Sequence, residues 1–315
     1  MEVSSPAPTI DTEYERVFAE EARKHKSLIY AAIRALATLV EGSKSKTCQG
    51  LIKDLEPACS RLQQVTTDNA DIIGGKTVLT LKAVCAIYQN MVNKVVSSTD
   101  ESLGIELIKQ KIHEQSHILA QHQLSSKNRI AQTSKTLFRD GMTILMHGYS
   151  SVVLHVLIKA VQRGIKFNVI VTEGGVPKGK TGQSVKELLE ENKIPAKLIT
   201  NAAVGIIMPK VDCIFVGCEA VLENGGIVNK IGTFTIGLVA KTFQKPFYVF
   251  TESFKFMKEF PLQLDDALKL VDSNINIEKL EVDYTPPEYI TLLFTSIGIF
   301  TPSAVSDELI EFFAN

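Results

Sequence analysis

MTILMHGYSSVVLHVLIKAVQRGIKFNVIVTE, residues 142–173, changes its hydrophobic period twice. MTILM (Met142 to Met146) is a short apolar run of strand length. Ser150 to Gln162 repeats its apolar residues at helical spacing, and Gly164 stops that helix. FNVIV (Phe167 to Val171) is a β-branched run. A strand, a helix and a second strand in 32 residues is a βαβ unit, and a parallel pair needs such a crossover.

The alternation continues downstream. Gly182 to Glu191 reads as a helix, and AKLIT (Ala196 to Thr200) and CIFVG (Cys213 to Gly217) read as strands. Thr233 to Phe243 reads as a helix before the strand FYVF (Phe247 to Phe250). Repeated βα units predict a parallel sheet with helices on both faces. Ligands bind such sheets beyond the carboxyl ends of the strands. Those ends carry His147-Gly148-Tyr149-Ser150-Ser151, Thr172-Glu173, Cys218-Glu219 and Thr251-Glu252-Ser253. Asn224 to Lys230 is expected to be a loop on the same edge, completing a pocket. The plain alternative is that polar residues follow strands because the chain exits to solvent there.

Upstream the character changes. Most of the 19 glycines and 11 prolines fall after residue 140, so residues 1–140 are expected to be a helical domain and 141–315 an α/β domain. Tyr14 to Val40 reads as one helix. Glu41 to Thr47 is a polar connector, with Thr47 placed to cap the next helix, which runs to about Val65. Val78 to Val92 and Glu101 to Leu124 follow. Ser125 to Asn128 reads as a turn, and Arg129 to Phe138 as a last helix.

Two motifs carry sharp chemistry on paper. Gly174-Gly175-Val176-Pro177-Lys178-Gly179-Lys180-Thr181 satisfies the phosphate-loop pattern. It follows an earlier strand-helix unit of the same sheet, and Gly182 opens its helix. No strand ends cleanly in the aspartate a magnesium ion would need. A basic, glycine-rich rim of the pocket is the simpler reading. His113-Glu114-Gln115-Ser116-His117 satisfies H-E-x-x-H but lacks a third ligand at the extended spacing, so two surface histidines are expected and no metal.

With 34 Lys+Arg against 35 Asp+Glu, the net charge of −1 gives no support to nucleic-acid binding. No apolar run reaches the ~18 residues of a membrane span. MEVSSPAPTIDTEYE has neither the basic nor the apolar region of a secretory signal. The five cysteines (Cys48, Cys59, Cys85, Cys213, Cys218) form no C-x-x-C pair. Reduced thiols in a cytoplasmic protein are expected.

With these residues in place, the chain resembles a known family. It joins the alpha, beta and delta subunits of eukaryotic translation initiation factor 2B to isomerases of methylthioribose 1-phosphate and ribose 1,5-bisphosphate. The resemblance rests on AAIRAL (Ala31 to Leu36), KNRIA (Lys127 to Ala131), TILMHGYSSVV, NAAVGIIM (Asn201 to Met208), VDCIFVGCEAVLENGGIVNKIGT, KPFYVFTESFKF and VDYTPPEYITLLFTSIGIFTPSAVSDELI. It covers nearly the whole chain. It implies an N-terminal all-helical domain and a Rossmann-like parallel-sheet domain that dimerises.

The resemblance also bears on chemistry. The isomerases' catalytic cysteine matches Gly148, and their aspartate matches Glu219. The arginine of their T-E-[ST]-R-P run is missing, since Glu173 is followed by Gly174 and Gly175. Glycine cannot supply an acid or a thiolate, and glutamate is one methylene longer than aspartate. A non-catalytic protein that needs no cofactor is therefore expected. Ser150 and Ser151 at a helix N-terminus suit an anion. Asn229, Lys230 and Lys255 match positions that face the isomerases' substrate. With His147, Tyr149, Glu173 and Glu219, these residues form the candidate sugar-phosphate pocket.

The resemblance implies a homodimer in the guanine-nucleotide exchange factor for initiation factor 2. Its partners there would be the beta, gamma, delta and epsilon subunits and the phosphorylated alpha subunit of initiation factor 2. The alternative is a sugar-phosphate aldose-ketose isomerase using Glu219 with His147, Tyr149 or Cys218.

Overall fold

Thr12 opens the first helix by donating from its amide and its hydroxyl to Glu15 Oε2, at 2.9 and 2.8 Å. A computed structural model describes residues 12–25, 27–68, 78–100, 104–174, 181–270 and 280–314. Helix α1 is Glu13–His25 and α2 is Leu28–Gly42. The single helix expected over Tyr14 to Val40 is thus two. Ser27 adopts extended dihedrals and its Oγ accepts from the Tyr30 amide, which ends one helix and caps the next. Helix α3 (Cys48–Asp68) carries Pro57 inside it, and Thr47 Oγ1 accepts from the Gly50 amide at its start. Glu15 is only 2% exposed, and its charge is matched by Arg61 Nε of α3 at 2.6 Å.

Helix α4 is Val78–Ser98 and α5 is Ile105–Thr133. The turn expected at Ser125 to Asn128 does not exist, because α5 runs straight through it. Ser126 is 1% exposed, and the next turn buries Ile130 and Ala131. Tertiary burial outweighs the weak helix propensity of two serines and an asparagine. The chain divides into compact units between Leu124 and Ser125, inside α5 and before the residue-140 boundary. Ile130, Ala131 and Phe138 belong to the core of the second unit. Among the described residues no helix is long and apolar enough to cross a membrane.

The second unit alternates as the sequence predicts. Strand β1 (Thr143–Met146) leads to α6 (Ser151–Gln162), β2 (Asn168–Thr172), α7 (Gly182–Glu191) and β3 (Ala196–Ile199). A short α8 (Val204–Ile207) precedes β4 (Cys213–Val216), β5 (Ala220–Leu222) and β6 (Ile227–Lys230). Then come α9 (Thr233–Thr242), β7 (Phe247–Thr251), β8 (Phe256–Met257) and α10 (Leu264–Lys269). The chain closes with β9 (Val282–Thr285), β10 (Leu292–Thr295), β11 (Ile299–Phe300) and α11 (Val305–Ala314).

Seven strands form the main sheet in the order β11-β10-β7-β4-β1-β2-β3, parallel except for the edge strand β11. Successive residues of β1 face opposite ways. Ile144 and Met146 join Val153 and Leu157 of α6 on one face, and Leu145 joins Ile236 and Ala240 of α9 on the other. Both faces are therefore dry, as a parallel sheet requires. A row of rings stiffens the first face. Phe215 lies 4.6 Å from Phe250, and Phe250 stacks on Phe294 at 5.2 Å.

A second sheet, β8-β5-β6-β9, was not foreseen. The segment expected as a pocket loop, Asn224 to Lys230, is mostly this sheet. Asn224, Gly225 and Gly226 make the β5–β6 turn, and Ile227–Lys230 is β6. Gly225 has φ +83°, and a Cβ there would stand 2.1 Å from Pro302 O. Only glycine fits.

Candidate functional site

β1 is flanked by β2 and β4, so the strand order reverses there. That is the switch point of a doubly wound sheet, where folds of this kind place a ligand crevice, beyond the carboxyl ends of β1 and β4. His147 to Ser151 leave β1, and Gly217 to Glu219 leave β4 directly into the second sheet. A Cβ on Gly217 would meet Ser150 Oγ at 2.4 Å, so the two exits touch. Gly148 has φ +64°, the left-handed region that favours glycine. A Cβ there would lie 3.5 Å from Lys230 Cγ. Gly148, Ser150, Gly217 and Lys230 are thereby brought together.

His147, 2% exposed, ties the crevice together. Its Nε2 lies 2.9 Å from the Ile231 carbonyl, which can only accept, so Nε2 carries the proton. Nδ1 then accepts from Thr172 Oγ1 at 2.6 Å. Burial lowers its pKa, more than the Ile231 and Lys230 carbonyls raise it. Both nitrogens are engaged, so His147 works as a neutral tie between β1, β2 and the turn after β6. Asn229 is also structural. Its Nδ2 donates to Thr233 Oγ1 at 3.1 Å at the start of α9.

Lys255 lies on the other side of the crevice. Its Nζ donates to the Cys218 carbonyl at 2.7 Å. Burial lowers its pKa, but Glu219, Glu252 and Cys218 acting together raise it on balance, so the ammonium is held charged. Glu252, one of the strand-end residues that the sequence places on this edge, is buried immediately after β7. Burial pushes the Cys218 thiol up to about 11, so it is protonated at neutral pH.

The remaining candidates are engaged in local structure. Glu173 turns toward the end of β3, where its Oε1 accepts from the Asn201 amide at 3.4 Å. Ser150 Oγ caps α6 by accepting from the Val153 amide at 3.3 Å. Ser151 is the first residue of that helix, and Tyr149 packs against the core of the first sheet face. Residues 175–180, with Lys180, lie outside the described residues. Thr181 caps α7, and a Cβ on Gly182 would stand 2.1 Å from the Thr172 carbonyl. Gly182 is therefore explained by helix-on-strand packing.

Asp283 of β9 was missed altogether. Its Oδ2 accepts from the Gly232 and Phe234 amides at 2.7 and 3.1 Å, capping α9 from outside. Burial raises its pKa to about 7, against the lowering by these amides. His113 pairs with Glu41 of α2. Among the described residues no three His, Cys, Asp or Glu side chains converge as a metal site.

The site is that of a doubly wound α/β protein. It gathers the N-terminus of α6, Lys230, Lys255, Glu219 and Glu252. The chain belongs to the Initiation factor 2 subunit family, which it matches over residues 21–302. Over 306 residues it is 39% identical to a Dictyostelium discoideum protein named translation initiation factor eIF2B subunit alpha, a match covering 91% of this chain and 92% of that one. It is 29% identical over 238 residues to ribose 1,5-bisphosphate isomerase of Archaeoglobus fulgidus, covering 72% of this chain and 75% of that one. The crystal structure of the tetrameric eIF2B-beta2-delta2 complex from C. thermophilum aligns with TM-score 0.76 at 16% identity. It spans 97% of this chain and 96% of that one, and speaks to the fold.

Proposed function

We propose that this chain is a regulatory, non-catalytic subunit of the guanine-nucleotide exchange factor for translation initiation factor 2. The likeness to the Dictyostelium discoideum alpha subunit over nine-tenths of the chain carries the reading. In this reading the α/β domain forms a homodimer in the cytoplasm that joins the beta, gamma, delta and epsilon subunits. The helical domain helps to sense the phosphorylated alpha subunit of initiation factor 2, with the polar faces of α1 and α2 and the segment around Thr47 as its surface.

The crevice is read as a binding site without turnover. Gly148 stands at the position matched to the isomerases' catalytic cysteine, and burial keeps the Cys218 thiol protonated at neutral pH. A sugar phosphate would place its phosphate at the α6 amides near Lys230, with Glu219 and Lys255 toward the sugar. Calorimetry with a panel of sugar phosphates tests this directly. Micromolar to millimolar binding without product is expected, and no binding at millimolar ligand overturns it.

The chain's native mass, taken from its own cells at moderate salt, tests the subunit reading. A particle of several times the 34.7 kDa chain mass with four further polypeptides is expected. A bare homodimer would favour the second reading, the isomerase to which the Archaeoglobus fulgidus match points. Turnover of ribose 1,5-bisphosphate or methylthioribose 1-phosphate would then be the deciding assay.

A further inference from the structure

Strand β6 ends at Lys230 and α9 begins at Thr233, so Ile231 and Gly232 are the whole connection between them. Both ends of this turn meet the residues that leave β1. A Cβ on Gly148 would lie 3.5 Å from Lys230 Cγ, and the Ile231 carbonyl accepts from His147 Nε2 at 2.9 Å. Gly232 is the N-cap of α9, has φ +102°, and offers no side chain to the first amides of the helix. A Cβ there would stand 3.1 Å from His147 Cε1. The positive φ and the crowding against the ring both favour glycine at this cap.

The missing acceptor comes from β9. Asp283 is buried and sits opposite Asn229 of β6 in the strand register. Its Oδ2 takes the Gly232 and Phe234 amides at 2.7 and 3.1 Å. Beside it the Ile231 amide donates to the Glu281 carbonyl at 3.0 Å. Thr233 Oγ1 donates to the Lys230 carbonyl at 2.6 Å and closes the turn from within. Asp283 Oδ1 has no hydrogen-bond partner among the described residues. The carboxyl group thus makes its contacts to the turn, and these two bonds set where Gly232 and the start of α9 lie.

We propose that Asp283 is a positioning residue of the crevice, which through the Gly232 and Phe234 amides holds the Lys230 side chain and the His147 ring in place. It touches no ligand itself. The consequence for binding rests on the sugar-phosphate reading given above. A phosphate at the α6 N-terminus meets Lys230 only while the turn keeps the lysine stem against Gly148. Without the Asp283 acceptor the turn stays tied at Ile231 and Lys230 but not at Gly232. A site whose supporting hydrogen bonds are removed in this way loses affinity through geometry, with every ligand-facing side chain still present.

Full-length Asp283→Ala, Asp283→Asn and Lys230→Ala test this, the asparagine keeping an acceptor of the same shape. Nuclear magnetic resonance of isotope-labelled histidine, assigned with His147→Gln, should show His147 of the wild type protonated on Nε2. Asp283→Ala should shift both ring nitrogens, and Asp283→Asn should restore them. In calorimetry, Asp283→Ala should weaken ribose 1,5-bisphosphate binding about ten-fold. Once Lys230 is already alanine, the same change should cost less than about two-fold. Urea unfolding checks that each variant is folded. Should Asp283→Ala not fold, Asp283→Ser, too short to span both amides, takes its place. Unmoved ring signals in the folded variant overturn the proposal. So does unchanged binding, a loss in Asp283→Asn equal to that in Asp283→Ala, or a loss that persists undiminished without Lys230. No binding by the wild type at millimolar ligand overturns the sugar-phosphate reading instead, and the His147 signals then decide the role of Asp283 by themselves.

Discussion

Among the described residues, Asp283 has a raised pKa that lies within the neutral range. Its folded pKa of about 7 stands above the ordinary 3.8 because burial penalises the carboxylate. Between about pH 4 and about pH 7 the folded protein holds a proton that the unfolded chain has released. Stability from this group is therefore present at low pH, falls as pH rises through that window, and levels off above it. The loss is at most ~4 kcal/mol. Asparagine offers the same amides an acceptor and does not titrate. Urea midpoints of Asp283→Asn should gain on the wild type as pH rises from about 5 to about 7, and a constant gap between the two would count against the buried-acid account. His147 teaches a related lesson at the same scale. Its position after β1 made it a ligand candidate, but the Ile231 carbonyl and Thr172 hydroxyl take both ring nitrogens.

Elements with a clear period were legible, and those defined by distant partners were not. The β1-α6-β2 unit is visible in residues 142–173 because each element is long enough to display its own repeat. Strands β5, β6 and β9 are three or four residues long and almost wholly buried, so no polar-apolar alternation marks them. The break at Ser27 was readable in principle, since serine before an apolar run is a cap signal. Ser27→Ala should cost about 1 kcal/mol in urea unfolding by removing the acceptor for the Tyr30 amide. Ser126→Pro makes the opposite point about a turn that is really helix. It removes an amide from the interior of α5 and should cost ~3 kcal/mol or more. A loss of only a few tenths would mean that the helix is already interrupted there.

The division between Leu124 and Ser125 leaves the whole α/β core on one side. Its two clusters, one on each face of the main sheet, draw only on residues from Ile130 onward. Residues 125–315 expressed alone should therefore unfold cooperatively, as domains with their own core do. Circular dichroism against urea would read this, and a broad, featureless melt would show that the first unit is required for the fold. The helical unit keeps its own long-range ties, among them the Glu15–Arg61 pair and the hydrogen bond from Tyr88 to Ser116 at 2.8 Å.

By itself the sequence determined the α/β class, the parallel βα order, the helical first part and the family, because each is written in local periods or contiguous motifs. It also brought the strand ends to one edge, since the parallel strands of a doubly wound sheet end together. Only the tertiary structure decided what each candidate does there. Lys255 meets the Cys218 carbonyl across 37 residues of chain, and Asp283 reaches the Gly232 amide across 51. Such pairings depend on how separate strands come to lie beside one another, and no local pattern of residues encodes that.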